Sequence, residues 1–301
     1  MSNGSAGPSL ETPVLLLIFN RPRTTRAVFE SIRSARPTRL YVAADGPRDG
    51  VEGDVERCQA ARQIATSVDW ACQVATCFQE HNLGLGVEAH VRSAIDWFMA
   101  NETEGIILED DCVPDPSFFQ FCEELLQRYR DVLQVMHISG DNFQYGRWRG
   151  DASYYFSRYP MVWGWATWRR AWRQFGDVEE TAQGQAKTWA YQWLLTLEKQ
   201  RGAAIVPNVN LVTNIGFGAD ATHTKTLERY SMLPSQAMRF PLRHPRNVTL
   251  DRAADTFTYY AHYRNIGKLR LIWLHQLWDF TYARLRRIKN LVLPKKPRVG
   301  E

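Results

Sequence analysis

Short apolar runs alternate with amphipathic stretches along the first half of the chain. Residues 14–19 are almost all apolar, which is typical of a strand buried inside a parallel sheet. The next stretch places Val28, Phe29 and Ile32 on one stripe of a helix over about residues 24–34. The same alternation predicts strands at 39–44, 73–78, 105–108 and 135–139, and helices at 56–67, 87–100 and 116–129. Strands and helices alternating with short connections favour an α/β fold, an open parallel sheet wrapped by helices.

The second half of the chain is less regular. Its pattern predicts short strands at 154–157 and 204–206, a helix at 188–199, and a loop rich in Asn and Gly at 208–223. Trp165, Trp168 and Trp172 follow the i, i+3, i+7 spacing of a helix face, which favours core packing for the last two. No linker separates the two halves. We therefore predict a disordered lead at 1–12, one domain at 13–263 and a C-terminal helical extension at 264–301.

Composition excludes a disordered or fibrous chain, because 45% of the residues are hydrophobic and 23% are charged. The five cysteines are odd in number and no pair has Cys-x-x-Cys spacing, which indicates a reducing compartment. Residues 1–12 have neither the basic region nor the apolar region of a signal peptide. The early apolar run is far shorter than the ~20 residues of a membrane span. These features predict a cytoplasmic protein, either soluble or peripheral on a membrane.

The positive charge is concentrated at the C-terminal end. The formal net charge of the whole chain is +5, but residues 264–298 hold ten Lys and Arg against the single acid Asp279, which is +9. Apolar residues give the same segment a broad face: Leu269, Trp273, Leu277, Phe280 and Leu285. A basic flank beside an apolar face predicts an interfacial helix on an anionic membrane surface. A dimer helix and a nucleic-acid patch are the alternatives, and no motif supports nucleic acid as a partner.

Polar signatures follow three of the predicted strands. They are Asn20-Arg21, Asp45-Gly46 and the run Glu109-Asp110-Asp111. Ligands of open α/β sheets bind beyond the carboxyl ends of the strands. Three adjacent carboxylates repel one another unless a cation or bound hydroxyl groups satisfy them, and their oxygens suit Mg²⁺ or Mn²⁺. The alternative is a solvated acidic turn. No P-loop, Gly-x-Gly-x-x-Gly or Gly-x-Ser-x-Gly motif follows a strand, which disfavours P-loop NTPases, dinucleotide enzymes and α/β-hydrolases.

Five separated motifs between residue 13 and about residue 225 carry a family resemblance. They are Phe19-Asn-Arg-Pro22, Ala44-Asp-Gly-Pro47, the run 108–119, Trp163-Gly-Trp165, and the run 208–224. In this order they resemble the GT-A glycosyltransferases, and most closely the bacterial haemolytic-protein-type group. That group is similar to the eukaryotic α-mannoside N-acetylglucosaminyltransferase I family. The resemblance implies a GT-A (Rossmann-like) fold with a mixed, mostly parallel sheet flanked by helices.

The resemblance also implies roles for individual residues. Arg21 and Asp45 would hold the nucleoside, with uridine as the expected base. Glu109, a catalytic candidate, and Asp110 would contact the sugar and the ribose. Asp111 would ligate Mn²⁺ or Mg²⁺ bridging the donor diphosphate. The predicted donor-binding set is Arg21, Asp45, Asp110, Trp163 and Trp189, with Trp163 also a sugar contact on the acceptor side.

One position departs from the family pattern. The resembling families carry a Trp-Asp pair at the start of the helix predicted here at 188–199, and that Asp is the expected general base for inversion at the anomeric carbon. This chain has Trp189-Ala190, and a methyl group cannot accept a proton. Asp220 is the first substitute base and Asp141 the second. His223 is a candidate ligand of the metal or of a phosphate.

We therefore expect a metal-dependent, inverting glycosyltransferase that uses a UDP-sugar, with UDP-N-acetylglucosamine as the first candidate. The acceptor would be a saccharide or a glycolipid in surface polysaccharide assembly at the inner face of the cell membrane. Because Ala190 stands in place of the expected base, the alternative is a catalytically impaired protein that only binds the nucleotide-sugar. A nucleotidyltransferase shares acidic metal chemistry, but the glycine-rich N-terminal loop usual in that class is missing.

Overall fold

A computed structural model describes residues 9–82, 86–176, 188–216 and 233–263 of the chain. Its strands are β1 (Val14–Ile18), β2 (Arg39–Ala44), β3 (Gln73–Phe78), β4 (Glu104–Glu109), β5 (Cys112–Pro114), β6 (Val135–Ser139), β7 (Tyr154–Ser157), β8 (Trp165–Trp168), β9 (Ala203–Pro207) and β10 (Val212–Asn214). Its helices are α1 (Pro22–Ala35), α2 (Asp54–Ala65), α3 (Gly86–Asn101), α4 (Pro116–Arg128), α5 (Arg169–Trp172), α6 (Trp189–Lys199) and α7 (Arg252–Thr258), and a π-helical turn follows at Tyr259–Tyr263.

Eight of these strands form one mixed sheet in the order β3-β2-β1-β4-β8-β6-β9-β7. The strands β3, β2, β1 and β4 pair in parallel, and so do β6 and β9. β8 runs antiparallel to both β4 and β6, and β7 runs antiparallel to β9. β5 and β10 form a separate antiparallel ribbon. The predicted fold class, a mixed and mostly parallel Rossmann-like sheet flanked by helices, is confirmed.

Both faces of the sheet are buried along its central strand β1, which explains why β1 carries apolar side chains at every position. Val14, Leu16 and Ile18 point into a core that includes the buried faces of α1, α2 and α4. Leu15 and Leu17 point into a second core, which includes buried residues of α3, α5 and α6. Helices therefore cover both faces and leave the strand ends as the places where polar side chains converge.

The tryptophan-rich segment differs from the helix that its spacing predicted. Trp165 and Trp168 lie on strand β8, and only the stretch Arg169–Trp172 is helical. Along a strand, residues three apart point to opposite faces. Accordingly, Trp165 packs in the second core and Trp168 in the first. The helical interpretation of this segment was wrong, whereas Trp168 and Trp172 are buried core residues as predicted.

The chain divides into two compact units, Met1–Asp255 and Thr256–Glu301. The predicted lead falls mostly, and the C-terminal extension entirely, outside the described residues, so both stay predictions. Within the part of the chain that the structure describes, no helix has the length and apolar character needed to cross a bilayer.

Candidate functional site

The carboxyl ends of four strands meet at one edge of the sheet. β1 pairs in parallel with β2 and β4. β6 runs in the same direction as β4, because β8 is antiparallel to both. The segments that follow these strands carry Arg21 after β1, Asp45 after β2, Asp110 after β4 and Asp141 after β6. The topology thus brings the predicted site residues to the edge where open α/β sheets bind ligands.

Arg21 joins the end of β1 to the end of β4. Its Nη1 donates a hydrogen bond to Asp111 Oδ2 at 2.8 Å, and its Nη2 forms a short ion pair with Asp110 Oδ1. The backbone N–H of Phe19 also donates to Asp110 Oδ2, at 3.3 Å. Asp110 is 2% exposed and Asp111 is 9% exposed. In the described structure Arg21 is therefore the counterion of two buried carboxylates.

The electrostatics of this pairing follow from burial. Burial raises the pKa of the Asp110 carboxyl to about 6, although the Arg21 guanidinium lowers it. The neighbouring charge of Asp111 adds to the increase. Burial alone lowers the pKa of Arg21, but the charges and hydrogen bonds of the two carboxylates outweigh burial and raise it above the ordinary value. Arg21 is therefore charged, and Asp110 titrates near neutral pH.

Asp45 is held within the loop that follows β2. Its Oδ1 accepts a hydrogen bond from Gly46 N at 2.8 Å, and its Oδ2 accepts one from Asn82 Nδ2 at 2.9 Å. Arg62 Nη2 donates to the backbone oxygens of Asp45 and Gln79, at 3.1 and 2.6 Å. Asp45 is half-buried, and both of its carboxylate oxygens accept hydrogen bonds within the loop. Asn82 is a site residue that no motif in the sequence distinguished from other loop asparagines.

A second carboxylate, Asp54, forms hydrogen bonds with the loops that follow β1 and β2. It is fully buried and accepts hydrogen bonds from Asn20 Nδ2 at 2.5 Å, Arg48 Nε at 2.9 Å and Arg57 Nη2 at 2.7 Å. The hydrogen bond from Arg48 is the main reason that its pKa lies well below the usual range, since burial acts in the opposite direction. Asp54 connects Asn20 to the segment 48–57, and nothing in the sequence pattern distinguished it from a surface acid.

The ribbon of β5 and β10 fixes Asp111 from the other side. The backbone N–H of Ile215 donates to Asp111 O at 2.8 Å, and Cys112 Sγ donates to Asp111 Oδ1 at 3.4 Å. Gly216 lies so close that a Cβ there would be 2.0 Å from Asp111 Oδ2. Only glycine allows the chain to pass this carboxylate. The Asn- and Gly-rich run predicted as a loop therefore contains strand β10, and it packs against the acidic motif.

Asp141 lies on the segment after β6 and is 1% exposed. Neither of its carboxylate oxygens has a hydrogen-bonding partner among the residues that the structure describes. Burial raises the pKa of Asp141 well above its usual range, while the nearby backbone N–H groups of Asp141 and Trp163 lower it. Burial raises the pKa of the Cys112 thiol, and the charges of Asp111, Glu109 and Asp141 add to that increase.

The remaining predicted residues have different surroundings. Glu109 is half-buried at the last position of β4. Trp163 is also half-buried, and its ring meets Phe143 edge-on with 5.1 Å between centroids. Trp189 is 6% exposed and stacks on Trp165 in the second core at 5.7 Å, so its ring is packed against protein.

Two predicted residues, Asp220 and His223, belong to the run 217–232, which lies outside the described residues. Among residues 9–82, 86–176, 188–216 and 233–263, no three His, Cys, Asp or Glu side chains converge as ligands of a metal ion. The carboxylate that the sequence predicted as a ligand, Asp111, offers oxygens that already accept from Arg21 and Cys112. The described side chains therefore do not form a metal site by themselves.

A cavity of about 570 Å³ lies elsewhere, beside the edge strand β7. Its lining includes Arg149, Tyr155, Arg243, His244 and Arg246 and none of the predicted site residues. We place the candidate site at the carboxyl edge of the sheet, because the buried carboxylates and their counterion converge there.

No protein-family model matches the chain, and no curated protein is similar to it in sequence. Among solved structures, the chain is similar to UDP-glucose pyrophosphorylase complexed with UDP-glucose, at 7% identity and a TM-score of 0.40. The similar region covers 65% of this chain and 90% of that protein.

Proposed function

We propose that the chain is a GT-A-type glycosyltransferase that moves a sugar from a UDP-sugar to a saccharide or glycolipid acceptor, with N-acetylglucosamine as the first candidate sugar. The observation that carries the proposal is the contact of Arg21 with Asp110 and Asp111 at the carboxyl edge of the sheet. It joins two of the motifs that resemble the family, although they lie about 90 residues apart. The remaining motifs lie, as far as they are described, at the same edge.

The charge balance of the site supports a requirement for a divalent cation. The consecutive carboxylates Glu109, Asp110 and Asp111 outnumber the single guanidinium of Arg21. A diphosphate would be repelled by this excess of negative charge. Mg²⁺ and Mn²⁺ usually bind through one or two carboxylates together with substrate phosphates, and Asp111 can supply such a ligand. A cation held in this way would neutralise the charge that develops on the departing UDP.

The protein side chains have separate tasks in this proposal. Arg21 keeps Asp110 and Asp111 in position and limits their mutual repulsion. Asp45, oriented by Gly46 N and Asn82, would contact the ribose or the base. A carboxylate that accepts hydrogen bonds from a sugar hydroxyl gives both affinity and orientation. Attachment to the inner face of a membrane belongs to the same proposal and rests on the basic C-terminal segment.

Calorimetry of UDP binding tests the proposal directly. We expect UDP to bind more tightly with Mn²⁺ than with a chelator, and we expect Asp111→Asn to remove most of that difference. Asp69→Asn is the matched control, because Asp69 is an exposed acid that precedes β3, at the other edge of the sheet. Equal UDP affinity with and without the metal would refute the metal requirement. Failure of UDP to bind at all would refute the donor.

Ala190 favours a second candidate, a nucleotide-sugar-binding protein with little turnover. Ala190 is the second residue of α6, next to Trp189, which stacks on Trp165. Trp165 pairs with Ile107 and Ser139 near the carboxyl ends of β4 and β6. The start of α6 therefore lies beside the candidate site, where the resembling families carry the carboxylate of the general base. Single-turnover transfer separates the two candidates, because both would bind the donor and only the enzyme would transfer the sugar.

A further inference from the structure

Asp141 is a carboxylate whose position is unfavourable for stability. It is 1% exposed, and neither of its oxygens has a partner among the described residues. Leaving a buried polar group without a hydrogen bond costs about 1–3 kcal/mol, and more for a charged group. The other buried aspartates of the domain differ in this respect. Asp54 accepts from three side chains, and Asp255 accepts from Ser157 Oγ at 2.6 Å.

The backbone around Asp141 is held closely on both sides. Gly140 N donates to Gly164 O at 2.8 Å, and Leu211 N donates to Gly140 O at 2.8 Å. A Cβ on Gly140 would lie 2.5 Å from Gly164 O and 2.6 Å from Val212 Cγ2, so the chain fits there only without a side chain. The carboxyl group is therefore placed by a tightly packed loop.

The same segment that holds this loop also holds Asp111. Leu211 bonds to Gly140, and four residues later Ile215 N donates to Asp111 O at 2.8 Å. The segment 211–215 is therefore hydrogen-bonded both to the residue before Asp141 and to the acidic motif after β4. Asp141 belongs to the candidate site by connectivity as well as by its place at the sheet edge.

We propose that Asp141 is a specificity-determining residue that hydrogen-bonds hydroxyl groups of the transferred sugar. The inference rests on the proposed function and names the part of the donor that this carboxyl group recognises. A pyranose presents neighbouring hydroxyls, each able to donate or accept, and a carboxyl group with two unengaged oxygens complements such a pair. The binding of the sugar would satisfy a buried group that has no hydrogen-bonding partner among the described residues.

Burial also distinguishes this role from that of a general base. A base must be ionised when the acceptor hydroxyl arrives. Burial raises the pKa of Asp141 well above its usual range, which disfavours the ionised carboxylate that a base requires. A protonated carboxyl donates one hydrogen bond and accepts others, which suits a neutral, polyhydroxylated ligand.

The test compares UDP with UDP-N-acetylglucosamine and UDP-glucose, each titrated calorimetrically in the presence of Mn²⁺. We expect Asp141→Ala to weaken the binding of one or both UDP-sugars at least ~10-fold, which corresponds to the loss of about one hydrogen bond. UDP affinity should be unchanged, and the thermal midpoint of the free protein should not fall. Asp141→Asn keeps the shape and one acceptor and should lose less.

Asp255→Ala is the matched control. Asp255 is buried but partnered, and Ser157 places it at the opposite edge of the sheet, at the end of β7. We expect this control to lower the thermal midpoint and to leave the ratio of UDP-sugar to UDP affinity unchanged. The inference is overturned if Asp141→Ala also leaves the ratio of UDP-sugar to UDP affinity unchanged, whether or not the thermal midpoint falls. In that case, UDP binding would still support the proposed function. Wild-type protein that binds neither UDP nor the UDP-sugars would overturn both.

Discussion

Replacing Arg21 by Met leaves Asp110 and Asp111 without their counterion. The two carboxylate side chains are only 3% and 12% exposed, so water cannot replace the guanidinium. Breaking a buried ion pair costs about 3–5 kcal/mol. Because 22% of the Arg21 side chain is exposed, we expect the low end of that range, about 3 kcal/mol. At roughly 2 °C per kcal/mol for a domain of this size, the thermal midpoint should fall by about 6 °C at slightly alkaline pH.

The cost depends on pH because Asp110 titrates with a pKa of about 6. Its folded pKa is raised, so the stability it contributes is fully present below its unfolded pKa and is lost as pH rises through 6. Without Arg21 the folded pKa rises further, since the guanidinium is the group that lowers it. At acidic pH Asp110 is protonated in both proteins and needs no counterion. The difference in midpoint between wild type and Arg21→Met should therefore shrink as pH falls from alkaline values toward 6, and it should change little below 6.

Differential scanning calorimetry across this pH range measures both effects. Arg33→Met is the matched control, because Arg33 pairs with Asp69 at a site where both side chains are about half exposed. We expect no measurable change in the midpoint for this control, since exposed ion pairs contribute little. The double variant Arg21→Met with Asp110→Asn should recover part of the lost stability. The reasoning is refuted if Arg21→Met behaves like the control, or if its deficit is the same at every pH.

Three further predictions concern other parts of the molecule. His137 is fully buried with both ring nitrogens hydrogen-bonded, and burial lowers its pKa to about 3. Its stabilising contribution, on the order of 5 kcal/mol, is therefore present above pH 6.5 and lost as pH falls toward 3. Urea unfolding at several pH values should show that the free energy of unfolding depends less on pH in His137→Asn than in wild type. Ala190→Asp should raise single-turnover transfer at least ~10-fold, and an unchanged rate would place the base elsewhere. Truncation after Arg264 removes nine Lys and Arg and two acids, a segment of charge +7, and should abolish flotation with anionic vesicles, whereas equal flotation of both proteins would indicate another membrane contact.

Much of the architecture follows from local patterns that the sequence displays. The strands predicted at 39–44, 73–78, 135–139 and 154–157 have those bounds in the structure, because each is a short apolar or β-branched run between turn signals. Polar residues directly after β1, β2 and β4 could be assigned to one edge, since parallel strands end together. The place of the candidate site was therefore predictable from periodicity and strand order.

Other features depend on contacts between distant residues. β5 and β10 are three residues each and pair only with one another, about 100 residues apart, so neither has a recognisable pattern of its own. The tryptophan spacing of β8 is also the spacing of a helix face. The segment is a strand because it pairs with β4 on one side and with β6 on the other. Propensity is weak for such short segments, and tertiary pairing decides their conformation.

The chemistry of the site divides in the same way. The sequence by itself determined that carboxylates, an arginine and glycines would gather at the carboxyl edge of an α/β sheet. Only the tertiary structure decided that Arg21 neutralises Asp110 and Asp111 and that Gly216 passes against Asp111. It also decided that Asp141 is buried with no hydrogen-bonding partner in the described part of the chain. The physical reason is that hydrogen bonding and desolvation depend on which groups meet in space, and residues far apart in sequence provide most of those groups.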